Sequence, residues 1–439
     1  MSSGNSAATR SEVERSIAAV WRLESAKIIA VLARMLRDVG LAEELAQDAL
    51  LAALEHWPVD GLPDKPAAWL MTTAKHRALD RLRAEAMQAR KHEELGQDML
   101  ARGDAVVPDF VDGLDAARAD DIGDDLLRLI FTACHPLLSR DARVALTLRL
   151  LGGLSTEDIA RGFLANEATI AQRIVRAKRT LQAAQVPFEV PQAQERQQRL
   201  ASVLEVIYLI FNEGYTATAG ADWMRPALCD EALRLGRVLA ALMPDEAEVL
   251  GLVALMEIQA SRSAARLDAR GEPVLLLAQD RGRWDHLLIR RGLTALAQAQ
   301  QQARARGESL GPYALQAAIA ACHARAPRAE DTDWLAILAL YDALAELQPS
   351  PVVELNRAVA LSMASGPGLG PAAALAIVDE LAAEPALQRY PWLASVRGDL
   401  LARLGRASEA AAAFELAADL SRNEAEARLM RQRAAQLKA

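Results

Sequence analysis

Leu154-Ser-Thr-Glu-Asp-Ile-Ala-Arg-Gly-Phe-Leu-Ala-Asn-Glu-Ala-Thr-Ile-Ala-Gln-Arg-Ile-Val-Arg-Ala-Lys178 is the stretch on which the reading of this chain turns. Ser155 opens a short helix, with Asp158 at the reciprocal capping position. Asn166 can cap a second helix running from Glu167 to about Leu181. On that helix Ile170, Ile174, Ala177 and Leu181 form one apolar stripe, while Thr169, Gln172, Arg173, Arg176 and Arg179 occupy the other face. Ala160 supplies the small residue the first helix needs where the second packs across it, and Ile170 fills the matching inner position. A short capped helix, a turn and a basic amphipathic helix make the helix-turn-helix pattern. Residues 161–180 carry five basic side chains against one acid. Arg and Gln can read base edges, and Arg, Lys and Thr can hold phosphate. An ordinary helix with a solvated basic face would show the same spacing, so the motif alone leaves both readings open.

Upstream, residues 13–90 read as a compact helical unit. Ile17, Val20, Trp21, Ile28, Ile29, Leu32 and Leu36 recur at helical spacing, and Gly40 is expected to stop that helix. A second helix is predicted from about Leu41 to Trp57, then a loop over Pro58–Asp64, then a third helix to about Arg90 with Pro66 in its first turn. Between Lys65 and Lys91 seven Lys and Arg stand against Asp80 and Glu85, a local charge of +5 in a chain that totals −8. Such a stripe, opposite Trp69, Leu70, Leu79 and Leu82, can follow a phosphate backbone. A solvated helix laced by pairs such as Arg77–Asp80 fits equally well. Residues 93–125 differ: eleven acids against Arg102 and Arg118, with Gly103, Pro108 and Gly113, predict a flexible acidic linker. Ser139 is expected to cap a helix ending at Gly152-Gly153.

Pro187 and Pro191 mark a further boundary. Beyond it the pattern is helical, broken at Met243-Pro244, Gly271-Glu272-Pro273, Gly311-Pro312, Gln348-Pro349-Ser350-Pro351, Gly366 to Pro371 and Glu384-Pro385. Ala394, Gly398, Leu401, Gly405, Ala410, Phe414 and Ala417 fall at the small and large positions of a tetratricopeptide helix pair, with a looser copy at Ala358, Ala374, Val378 and Leu381. In 439 residues the hydrophobic content is 52% and the aromatic content 4%, which points to Ala- and Leu-rich helices rather than strands. Cys134, Cys229 and Cys322 are too scattered for a zinc site or a disulfide framework, which predicts a reducing cytoplasm. No signal-peptide pattern and no membrane-length apolar run is present. Asn212-Glu213-Gly214 reads as a helix end rather than a catalytic motif. Cys134-His135 and Cys322-His323 are single pairs, not ligand sets. No catalytic residue, metal or cofactor is expected.

Three motifs in order resemble a known family. Gly40-Leu-Ala-Glu-Glu-Leu-Ala-Gln-Asp-Ala-Leu50 resembles the sigma-factor region that packs on the RNA polymerase clamp. Ala68-Trp-Leu-Met-Thr-Thr-Ala-Lys-His-Arg-Ala-Leu-Asp-Arg-Leu-Arg83 resembles the helix that opens the −10 element, and the stretch quoted first resembles the −35 helix-turn-helix. The family is the extracytoplasmic-function sigma factors of the sigma-70 superfamily. Tyr208-Leu-Ile-Phe-Asn-Glu-Gly-Tyr215, Gln279-Asp-Arg-Gly-Arg-Trp-Asp285, Gly311-Pro-Tyr-Ala-Leu-Gln-Ala-Ala-Ile319 and Ser350-Pro-Val-Val-Glu-Leu-Asn-Arg-Ala-Val-Ala360 are similar to the long tetratricopeptide-like extension of one subgroup. One departure is Leu164, where the family turn often has Gly, so its turn can be shaped differently.

The resemblance implies an all-α chain of four parts: region 2 over 1–92, the acidic linker over 93–125, a region 4 helix-turn-helix over 126–186, and a tetratricopeptide-like regulatory domain over 187–439. It implies an alternative sigma factor, not an enzyme, that binds the clamp and flap surfaces of core RNA polymerase and promoter DNA. Glu44, Gln47, Asp48 and Leu51, on one helix face, would meet the clamp. Lys75, Arg77, Arg81 and Arg83 would hold DNA at the −10 element while a base is flipped into the loop 59–65. Thr169, Gln172, Arg173, Arg176 and Arg179 would engage the −35 element. The extension would contact the DNA-reading modules and control their exposure. Two rival readings stay open: a helical-repeat scaffold that binds protein, and a stand-alone helix-turn-helix regulator.

Overall fold

A computed structural model describes residues 3–96, 119–163 and 165–438. Among them the regular structure is helical, apart from two isolated β-bridges, Gly220 with Asn423 and Leu267 with Pro273. By packing the chain divides into Met1–Val206 and Ile207–Ala439.

The first unit begins with α1 (Ser3–Leu36), α2 (Val39–Asp60) and α3 (Pro66–Gly96). The break after α1 falls at Arg37, with φ 53°, and Asp38, whose carboxylate accepts from the N–H groups of Gly40 and Leu41 at 2.7 and 3.0 Å. Gly40 therefore lies inside the first turn of α2 instead of ending α1, because the cap satisfies donors a helix start leaves open. At its other end α2 runs through Pro58 to Asp60, beyond the predicted stop at Trp57. Proline there forfeits one hydrogen bond, but the Gly61 N–H still closes the turn on the Trp57 carbonyl at 3.0 Å. Trp57 is buried and meets Trp69 edge-on, ring centroids 5.4 Å apart, tying α2 to α3.

Next come α4 (Ala119–Ala133), α5 (Arg140–Leu150), α6 (Thr156–Gly162) and α7 (Glu167–Ala183). Of the acidic linker read over 93–125, residues 93–96 instead continue α3 and 119–125 begin α4, while 97–118 lie outside the described residues. Acid content misled there. Asp125 is not a solvated linker charge but a buried carboxylate, bonded by Arg34 at 2.8 Å and Arg128 at 2.6 Å. Leu127, Ile130 and Phe131 behind it are buried as well.

Helix α8 (Ala193–Tyr215) carries the packing boundary at 206 inside it, later than the one read from Pro187. Its first half belongs with α4 and α5. Ser202 donates to the Cys134 carbonyl at 2.6 Å and accepts from Arg143, Arg199 donates to the Phe131 carbonyl at 3.1 Å, and Glu205 pairs with Arg140 and Arg143.

The second unit is a succession of helices in which most chain neighbours pack together: α9 (Pro226–Leu242), α10 (Ala247–Ala260), α11 (His286–Arg306), α12 (Pro312–Arg325), α13 (Trp334–Leu347), α14 (Pro351–Met363), α15 (Pro371–Leu381), α16 (Pro391–Arg403), α17 (Ala407–Leu420) and α18 (Glu424–Gln436). Proline opens α9, α12, α14, α15 and α16, where its missing N–H costs nothing. The repeat-like spacing of α16 and α17 has a steric meaning: a Cβ on Gly398 would sit 2.9 Å from the Phe414 ring. Ala358, Ala374 and Val378 of the looser copy are fully buried between α14, α15 and their neighbours. Asn212-Glu213-Gly214 sits at the end of α8. Glu213 pairs with Arg225 and accepts from Thr218 Oγ1 at 2.9 Å, and a Cβ on Gly214 would strike the Cys229 amide at 2.5 Å. The motif locks α8 against α9.

Candidate nucleic-acid interface

The helix-turn-helix is built by local caps. Ser155 Oγ accepts the Asp158 N–H at 3.0 Å and donates to its carboxylate at 2.7 Å; Asn166 accepts from Ala168 at 2.8 Å; Ser139 caps α5 at 3.4 Å. Ile170, Ile174, Ala177 and Leu181 are the buried face of α7, with Ile159 and Ala160 of α6 against it. Thr169, Gln172, Arg176 and Arg179 are exposed on the opposite face, and Arg173 is half-buried at the margin, paired with Asp141 at 3.2 Å. Four of the five side chains read from sequence thus form one accessible surface. Leu164, in the turn, lies outside the described residues.

On α3, Leu70, Ala74 and Ala78 are buried, and Arg81 and Arg83 are exposed. The Arg77–Asp80 pair that a plain solvated helix would offer does not form among the described residues. Asp80 instead meets Arg83 at 3.5 Å, Arg81 meets Glu85 at 2.7 Å, and Arg77 reaches Asp48 of α2 at 3.4 Å. Asp48 comes from the face of α2 that also carries exposed Glu44 and Leu51, with Gln47 half-buried beside them. An exposed pair such as Arg81–Glu85 is worth at most about 1 kcal/mol, so phosphate can readily displace it.

Sequence reasoning missed a second buried carboxylate of this unit besides Asp125. Glu43 is 3% exposed and receives Arg149 Nε of α5 at 2.6 Å, Lys178 of α7, and Gln47 of its own helix. Beside it Gln182 donates to Asp38 at 2.9 Å. The C-terminal half of α7 is therefore bound to the start of α2. One signal was available: Glu43 shares a helical face with Ala46 and Ala53, both buried.

Among the described residues no group of three or more His, Cys, Asp and Glu could hold a metal ion, and no helix is long and apolar enough to cross a membrane. The buried thiols of Cys134 and Cys229 are pushed up to about 11 and about 12 by desolvation, which disfavours the reactive thiolate.

Known proteins fit this arrangement. Residues 21–87 match the family Sigma-70 region 2, residues 128–181 match Sigma-70 region 4, and residues 199–300 match a family of unknown function, DUF6596. The chain is 46% identical to an uncharacterized protein, R00370, of Rhizobium meliloti, over 91% of this chain and 90% of that one. It is 31% identical to the ECF RNA polymerase sigma factor SigK of Mycobacterium ulcerans, over 35% of this chain and 78% of the relative. A crystal structure of yeast Tom70 aligns with 99% of this chain and 88% of its own at 13% identity, but its TM-score of 0.36 is too low to carry an argument. With both sigma-70 regions in order and a sigma factor matched over most of its length, the chain belongs to the extracytoplasmic-function sigma factors, alternative sigma factors that direct transcription initiation, and it carries a long helical C-terminal extension.

Proposed function

We propose that α7 reads the −35 element and α3 the −10 element. Thr169, Gln172, Arg173, Arg176 and Arg179 act on the first, and Lys75, Arg77, Arg81 and Arg83 on the second. Glu44, Gln47, Asp48 and Leu51 meet the polymerase clamp, and the chain around Gly61–Lys65 receives the flipped base. The observation that carries this reading is the division of α7 into a buried apolar stripe and an exposed face of Thr169, Gln172, Arg176 and Arg179. Exposure of one polar face is what a helix entering the major groove requires.

Reading both elements at once asks the two modules to stand far apart. Two elements about 25 base pairs apart are separated by about 85 Å of duplex at 3.4 Å per pair. Here α7 is joined to α2 through Lys178–Glu43 and Gln182–Asp38. Promoter reading therefore requires this contact to open, and core polymerase, by engaging α2, supplies the competing interaction. The extension from Ile207 onward governs how readily the modules become exposed.

Footprinting of promoter DNA with core polymerase and the full-length factor tests the assignment. Gln172→Ala and Arg176→Ala should each lower affinity about 5- to 150-fold and erase protection at −35, given about 1–3 kcal/mol for a good base contact. Arg81→Ala should leave −35 protection intact and reduce strand opening at −10. If the α7 variants protect −35 as the parent does, the assignment is wrong.

A further inference from the structure

The second unit contains a cluster of three arginines, of which one, Arg262, has no side-chain acceptor among the described residues. Arg262, just beyond α10, is 9% exposed, and its Nε is buried without a hydrogen-bond partner. Among the described residues its guanidinium pairs with no acid. Its neighbours are cationic or aromatic. Arg266 lies 3.5 Å from the Tyr215 ring centroid and 4.4 Å from that of Trp223, and Arg262 approaches the same Tyr215 ring at 5.8 Å. Arg281 covers Trp284 at 4.8 Å. Arg262 and Arg281 both act on His323, which is 9% exposed and meets the Trp334 ring edge-on.

The other two arginines already have acceptors for their terminal nitrogens. Arg266 donates to the Tyr215 carbonyl and to Thr216 Oγ1, and Arg281 donates to the carbonyls of His323 and Ala326. The acids near Arg281, Glu330 and Asp331, already engage Arg328. Left over are Arg262 Nε, Arg281 Nε, Trp284 Nε1 and His323 Nδ1, all buried and unbonded. Native proteins rarely leave one such atom unexplained, and a buried charge without a counter-charge is more costly still. Arg281 and Trp284 belong to the motif Gln279–Asp285, and Tyr215 closes the motif that begins at Tyr208; promoter reading uses neither.

We propose that Arg262, with Arg281 and His323 beside it, forms a binding site for a small oxyanion, the phosphate or carboxylate group of a ligand. A planar guanidinium offers paired donors to either group, and the surrounding rings keep water from competing. The site places an effector position in the extension of the sigma factor.

Thermal unfolding of the full-length protein tests this, with inorganic phosphate and acetate as separate probes against chloride at equal ionic strength. At about 10 mM, one probe should raise the transition by about 3 °C or more, as binding to the folded state alone does. A rise with phosphate alone identifies a phosphoryl ligand, and a rise with acetate a carboxylate ligand. Arg262→Met should abolish the rise and, without anion, melt at or above the parent temperature. Arg262→Gln should abolish it too, and Arg328→Ala, at an exposed pair, should retain it. No anion-specific rise in the parent, or an equal rise in both Arg262 variants, would overturn the proposal. So would an Arg262→Met protein that melts well below the parent with no anion present, since the guanidinium would then be structural.

Discussion

At the scale of single residues, burial decides what each charge does. His323 lies among Arg262, Arg281 and Trp334, and desolvation, followed by those two arginines, lowers it from 6.5 to about 4. A histidine held neutral in the folded protein contributes stability above its unfolded pKa and loses it as pH falls toward the folded value. The second unit should therefore lose about 1.4 kcal/mol per pH unit between about 6.5 and 4. His323→Phe should flatten that part of a denaturant-melt pH series, and an unchanged slope would show that another group titrates. Gly398 makes the steric counterpart: its absent Cβ leaves room for Phe414, so Gly398→Val should cost about 1–3 kcal/mol through overpacking, measurable by urea unfolding. The glycine and the phenylalanine were both legible in the sequence because they fall at repeat spacing. The role of His323 was not, since its neighbours come from distant segments and spacing alone showed only a Cys-His pair.

At the scale of elements, what was legible was local. Ser139, Ser155 and Asn166 cap the helices expected of them because a cap needs only the next few residues. The apolar stripe of α7 was readable for the same reason. Charged residues were harder. Asp125 falls in the acid-rich stretch read as linker, yet it is held by Arg34, 91 positions earlier, and Glu43 is held by Arg149, 106 positions later. Periodicity gives the face a residue occupies but not which distant cation comes to meet it. The contact of α7 with α2 depends on Glu43, so Glu43→Gln should weaken it by about 1–3 kcal/mol. Paired fluorophores on α2 and α7 should report a larger mean separation in that variant; an unchanged separation would show that other contacts hold the elements together.

At the scale of the whole molecule, the factor combines a compact pair of sigma regions with a helical extension that is longer than both. The order of parts was legible from composition and from three motifs, whereas the true end of the first unit was not. It lies inside α8, because Arg199, Ser202 and Glu205 complete the packing of α4 and α5. A truncation at Gln185 would remove those residues and confuse instability with regulation, so a chain ending at Val206 is the better probe of what the extension does. That chain should bind core polymerase and differ from the full-length factor in promoter output, and equal output would remove the regulatory role from the extension. The central claim is tested most directly by run-off transcription from the promoter upstream of this protein's own coding sequence, with core polymerase and the full-length factor. The account predicts a specific transcript that depends on the factor and falls about tenfold or more in both Arg81→Ala and Arg176→Ala. A transcript indifferent to both substitutions, or none at all together with no binding of core polymerase by the chain ending at Val206, would contradict it.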